Sequence, residues 1–226
     1  MYLEVGTKRV FGGAIEWPGW CRSGRSESDA LQALVAYGPR YARAVGKAGH
    51  GLRGPDDPRA FDVAERLGGD ASTDFGVPGA APAADDRSLN DTELERLTGL
   101  LKVSWGKFDR TVRAARGQEL RKGPRGGGRE LEAIVEHVLE AEGAYLSRLG
   151  ERFRPPDVAE PEVAMKRLRK AFLGALLDRA HGVPPPPSRR TSRLWTPRYA
   201  IRRSAWHALD HAWEIEDRTA QNDPKA

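Results

Sequence analysis

The sequence predicts an α+β chain in two parts. A small β-β-α-β unit is expected over residues 1–75, a Gly/Pro/Ala-rich linker over 76–90, and four long helices in a bundle over 91–226. Two observations carry this expectation. Near the start, apolar residues alternate in short segments, as half-buried strands require. From about residue 88 they recur at helical spacing in long segments, and every joint between those segments contains Gly or Pro.

The elements follow in order. "YLEV" and "RVFGGAIEW" read as two strands around the turn residues Gly6 and Thr7. "WPGWCRSGRSESD" reads as a loop, and "DALQALVAYGPRYARAVG" as a helix capped by Ser28 or Asp29. "RAFDVAERL" supplies the last strand of the unit. The stretch "GGDASTDFGVPGAAPAADDRSLND" ends in helix-start chemistry at "SLNDTE". The four helices are "DTELERLTGLLKVSWGKFDRTVRAA", "GRELEAIVEHVLEAEGAYLSRLG", "PEVAMKRLRKAFLGALLDRAHG" and "TPRYAIRRSAWHALDHAWEIEDRT". Between the last two, "GVPPPPSRRTSRLWTP" is long for a bundle connection. Its run of prolines favours an extended strap across the helices.

Composition narrows the class. Apolar residues make up 39% and charged residues 31%, as in globular proteins. No apolar run reaches membrane-spanning length, and the start lacks the order of a secretory signal. One cysteine excludes an internal disulfide and fits a reducing cytoplasm. Basic residues number 37 against 32 acidic ones, with the signs interspersed, so the net charge of +5 does not point to nucleic acid.

The chemistry concentrates in "AWHALDHAWEIEDR" near the end, which holds two of the five histidines. His207 and His211 stand four residues apart, on one face of a helix, and can bite one ion. Glu214 falls on the same line, while Trp206, Leu209 and Trp213 form an adjacent apolar face. Taken alone, the pair is better explained by a solvated polar face, because Arg203, Asp210 and Arg218 share it. His137, on the shoulder of the apolar stripe of the second long helix, shifts the balance toward metal. Facing helices of a bundle build metal sites in this way. Three neutral imidazoles leave open positions on zinc first, or on nickel or ferrous iron. Asp210, Glu214 or Glu136 can orient the rings by accepting their second N–H bonds.

These residues carry a resemblance. "IVEHVLEAEGAYLSRLG" and "HALDHAWEIEDR" resemble the DinB-like superfamily of four-helix proteins, over roughly residues 88 to 220. The resemblance implies a divalent metal held by His137, His207 and His211, and leaves His50 and His181 at helix ends without that role. Members include thiol S-transferases using mycothiol or bacillithiol, maleylpyruvate isomerases, and the metal-binding half of ergothioneine-type sulfoxide synthases. The last group carries H-x-x-x-H-x-E, whereas here the glutamate comes one residue later, at Glu214. "AIEWPGWCRSGRSESDALQALVAY" is similar to HicB-like antitoxin domains, which implies a small α/β unit that packs on the bundle or builds a homodimer.

Two further features bear on function. Cys21, with Arg22 and Arg25 nearby, reads either as a thiolate nucleophile or as a small buried hydrophobe, and solitary cysteines favour the second. In "ELRKGPRGGGRELE", Arg121, Lys122, Arg125 and Arg129 crowd a Gly-rich turn that reads either as a flexible basic connection, which is slightly favoured, or as a dock for a substrate carboxylate or phosphate if it folds near His137. The leading expectation is a metal-dependent enzyme acting on a small molecule, with Glu214 as a candidate catalytic group. It would activate a low-molecular-weight thiol such as mycothiol, or water as in a hydrolase. The alternative is a non-catalytic binding or stress-related module whose HicB-like unit engages protein or DNA.

Overall fold

The computed structural model describes residues 1–122, 128–154, 160–187 and 193–219. Strands β1 (Tyr2–Val5), β2 (Val10–Gly13), β3 (Cys21–Gly24) and β4 (Glu65–Gly68) form one sheet in the order β3-β2-β1-β4. β1 runs antiparallel to β2 and parallel to β4. The parallel pair requires a crossover, and helix α1 (Glu27–Val45) lies in it. Ser26 caps α1 by accepting the Asp29 N–H, two or three residues before the expected caps Ser28 and Asp29.

The N-terminal unit is therefore β-β-β-α-β, not β-β-α-β. β3 lies inside the stretch expected as a loop. Its sequence, Cys-Arg-Ser-Gly, has neither alternation nor high strand propensity, and tertiary context overrides both. β3 is held by its ladder to β2, from Gly13 opposite Cys21 to Val10 opposite Gly24. Burial of Trp20 and Cys21 anchors its start. Gly13 permits this pairing because the Tyr2 ring occupies the space where a Cβ would sit.

The Gly/Pro/Ala-rich stretch is tied down at several points. Asp70 caps the short helix α2 (Ala71–Phe75) in a reciprocal capping box with Thr73. The amides of Gly79 and Ala80 then donate to the buried carboxylate of Glu4 at 2.9 and 3.0 Å. The 3-10 turn Ala83–Asp86 delivers a buried Asp85 to the guanidinium of Arg202.

Four long helices follow: α3 (Asp91–Ala115), α4 (Leu131–Arg148), α5 (Pro161–Ala180) and α6 (Pro197–Thr219). Asn90 and Glu93 close a capping box at the start of α3, as "SLNDTE" predicts. α6 packs most extensively against α3 and also against α4, and α4 packs against α5. Trp105, Phe108, Ile134, Phe172 and Leu209 are buried between these helices. Each contributes about 1.5–3 kcal/mol by leaving water. Trp20 and Tyr41 of the N-terminal unit belong to the same core, stacked with ring centroids 5.6 Å apart. Before α6, Trp195 donates its amide to the Arg148 carbonyl at 2.8 Å, and Pro185 packs on Gly150. The strap thus meets the end of α4, with residues 188–192 outside the described part. Among the described residues, no helix is long and apolar enough to cross a membrane.

Candidate metal centre

The helical backbone of α6 sets His207 and His211 one turn apart. On the adjacent face Trp206, Leu209 and Trp213 enter the core, so the helix cannot rotate and the imidazoles are fixed against α4. His137 reaches them from α4. Nε2 of His207 lies 3.2 Å from Nε2 of His137 and 3.2 Å from Nε2 of His211. One ligand nitrogen from each of the three lies within 4.8 Å of the others. Two nitrogens at tetrahedral angles, each about 2.0–2.1 Å from one zinc ion, stand about 3.3 Å apart. The spacing suits a shared ion.

Proton placement points the same way. Nδ1 of His211 meets Glu214 Oε2 at 2.8 Å, and as a donor there it leaves Nε2 with a lone pair facing the centre. Nδ1 of His207 is buried with no hydrogen-bond partner. A neutral His207 has one ring proton. On Nδ1 that proton is a buried donor without an acceptor, while the Nε2 lone pair confronts the lone pair of His211. On Nε2 it serves only one of the two facing nitrogens. A divalent cation accepts all three lone pairs and removes the conflict between them. The donor set fits a metal.

Two of the imidazoles, those of His137 and His207, are also held toward the neutral form. Burial, then the neighbouring His211 and the charge of Arg203, hold the His207 pKa well below its ordinary value. Burial, His211 and Arg129 lower that of His137. For Glu214, burial alone would raise the pKa. The bond and charge of His211 and the charge of Arg218 overcome this and keep it low, so Glu214 is an anion.

Arg218 organises the outer side of the site. It donates to Glu214 Oε1 at 3.2 Å, to the Arg121 carbonyl at 2.8 Å and to the Arg129 carbonyl at 2.6 Å. One guanidinium therefore joins the carboxylate behind His211 to both described ends of the basic Gly-rich loop. Sequence spacing places Arg218 four residues after Glu214, which is the available signal for the first contact. Nothing local in the sequence reveals the two carbonyls. Arg129 lies near enough for its charge to act on His137 and His207. Arg125 lies outside the described residues.

The other candidates part company with the centre. Asp210 turns away to Arg22 of β3 at 2.8 Å, and Glu136 is exposed on α4, so neither serves as the carboxylate behind a ring. His50 is the left-handed residue closing the 3-10 turn Gly46–Gly49. His181 ends α5, with its Nε2 3.0 Å from Asp91. Cys21 is buried, and its thiol is pushed up to about 12 by burial and by the charge of Glu4, against the pull of Arg22. It is the small hydrophobe of the two readings, not a nucleophile. Sequence reasoning missed the aromatic wall. The Tyr145 and Trp206 rings lie 5.7 and 6.0 Å from that of His207, and Trp195 lies 5.2 Å from Tyr145. The Arg203 guanidinium sits over Trp206 and Tyr145, at 4.7 and 5.6 Å from their ring centroids. Compared with known proteins, the chain matches no family model, no curated protein and no solved structure.

Proposed function

We propose that the chain is a metal-dependent enzyme of the DinB-like superfamily, with α3 to α6 as its four-helix bundle. In this reading it transfers a thiol to an electrophilic small molecule. The observation that carries the proposal is the convergence of His137, His207 and His211, with 3.2 Å between neighbouring Nε2 atoms and a carboxylate behind one ring. The ligand set is His137, His207 and His211, and zinc suits it first, with nickel or ferrous iron as alternatives. When bound, such an ion supplies Lewis acidity and open positions at which a thiol or water loses its proton near neutral pH.

The protein's own groups do the rest. Glu214 accepts the Nδ1–H of His211, fixes its tautomer and raises its basicity. Arg218 keeps that carboxylate ionised and in place. Tyr145 and Trp206 cover His207 and limit water around it. Arg129, with Arg125 on the same loop, supplies positive charge for an anionic group of the substrate. A low-molecular-weight thiol such as mycothiol is the proposed nucleophile, since a thiolate attacks far better than a thiol. Calorimetry with mycothiol, on metal-loaded and metal-stripped protein, tests this. The thiol is expected to bind more tightly to the loaded form. Equal affinity in both removes thiol ligation and leaves water, and so hydrolysis, as the chemistry of the same site.

A further inference from the structure

We propose a second binding site, remote from the histidines, that takes a single-chain amphipathic carboxylate in the groove between α3 and α5. The groove encloses about 980 Å³. Small-molecule sites typically span about 300–1,000 Å³. It opens because α3 and α5 barely touch, each packing instead on other helices. Val135 of α4 lines it, whereas His137 joins the metal centre. Two residues turn a helix by about 200°, so the two sites lie on opposite faces of α4.

Shape and charge together specify the occupant. The floor is apolar, with Trp105, Phe108 and Val112 from α3 facing Met165 and Leu173 from α5. At the N-terminal end of α5, Val163 is exposed. Gly106 leaves the middle of the α3 wall without a side chain. Beyond Lys102 and Leu173 a second cleft of about 440 Å³ continues between the same helices, bordered by Leu94 and the exposed Leu177. The path is long and apolar, which suits an extended alkyl chain better than a compact ring.

The cations lie mainly at the other end. Arg113 of α3 stands with Lys166 and Arg167 of α5, Lys170 lies about midway, and Lys102 borders both clefts. None of these five forms an ion pair among the described residues. The two acidic residues of the groove are already engaged, Asp109 by Arg169 at 2.7 Å and Glu162 by Arg116 at 2.6 Å. Asp91 and Glu95 border the far cleft, so charge directs an anionic head toward Arg113 and Lys166 and the tail toward Leu177. The complementarity is to a carboxylate-headed chain.

Titrating the full chain with 11-(dansylamino)undecanoic acid tests the proposal through dansyl fluorescence. Saturable binding is expected, displaced by dodecanoate and not by dodecanol. Gly106→Phe fills the groove, and a Cβ there meets only the far end of Arg110, at 3.2 Å. It also replaces a glycine within a helix, which favours the helical state, so the variant is expected to fold. This variant should weaken binding at least tenfold. Lys166→Glu combined with Lys170→Glu should weaken it by on the order of tenfold, since it puts repulsive charge beside the head. Both changes leave the histidines alone, and circular dichroism and thermal midpoint report the fold. Equal displacement by dodecanol, or unchanged binding in folded Gly106→Phe, overturns the site. So does cosedimentation with phosphatidylglycerol vesicles that survives Gly106→Phe, because it would place the basic face on a membrane surface instead.

Discussion

Replacing Arg202 with methionine is expected to destabilise the whole chain, because this side chain joins α6, which carries His207 and His211, to the N-terminal unit. Arg202 of α6 holds Asp85 through Nε at 2.8 Å and Nη2 at 2.6 Å. It also donates to the carbonyls of Ala14 and Ile15 at 2.9 and 2.8 Å. Asp85 is 1% exposed, so its loss of a partner leaves a charge without water. Breaking such a buried pair costs about 3–5 kcal/mol. For a chain of this size, that is a fall of roughly 6–20 °C in the unfolding midpoint. Adding Asp85→Leu removes the stranded charge, leaving two carbonyls that cost about 1–3 kcal/mol each if no water reaches them. The double variant should therefore be more stable than Arg202→Met alone. Urea unfolding followed by tryptophan fluorescence measures both. A loss below about 1 kcal/mol for the single change, no more than a surface ion pair contributes, would refute the reasoning. So would a double variant less stable than the single.

Three other outcomes are expected, two at the histidine centre and one at Cys21. Glu214→Gln should retain metal with about 10- to 100-fold weaker affinity, as loss of a group behind a ligand usually does, while His50→Ala and His181→Ala should keep wild-type affinity in a competitive chelator titration. Metal binding should persist as pH falls through about 6.5, the ordinary imidazole value, because His137 and His207 have pKa values held below it and stay neutral there. The same sign governs stability: the metal-free fold should weaken as pH falls below that value toward the depressed ones, where the buried rings must charge. A binding midpoint above 6.5 in a pH series of the titration would contradict this. Cys21 should resist a thiol reagent at mildly alkaline pH in the native protein and react fully in concentrated denaturant, and rapid native labelling would show its burial to be wrong.

What was legible in the sequence was what repeats locally. The long helices announced themselves by apolar spacing and by their ends, and α3 runs over Asp91–Ala115 as its pattern predicts. The pairing of His207 and His211 followed from one turn of helix, and His137 from its place on the shoulder of an apolar stripe. Contacts made at long sequence separation were not legible. β3 needs β2 to exist, and "CRSG" by itself resembles a loop. Arg169 on α5 looks like part of a solvated face until Glu142 and Asp109, on two other helices, surround it. Asp210 has the spacing of a group behind a histidine, yet Arg22, 188 residues away, claims it. The stretch over 76–90 reads as a linker because turn residues dominate it, although its Asp85 is among the most buried charges of the described residues.

The central claim is that three imidazoles hold one ion, and metal analysis of protein purified without a polyhistidine tag tests it most directly. The wild-type chain, reconstituted and desalted, should carry about one divalent ion, as a single set of three ligands around one centre requires. His207 contacts both of the other rings, so His207→Ala should carry almost none while keeping its helical circular dichroism. Undiminished metal in folded His207→Ala, or a wild-type chain that takes up no ion on reconstitution, would contradict the account.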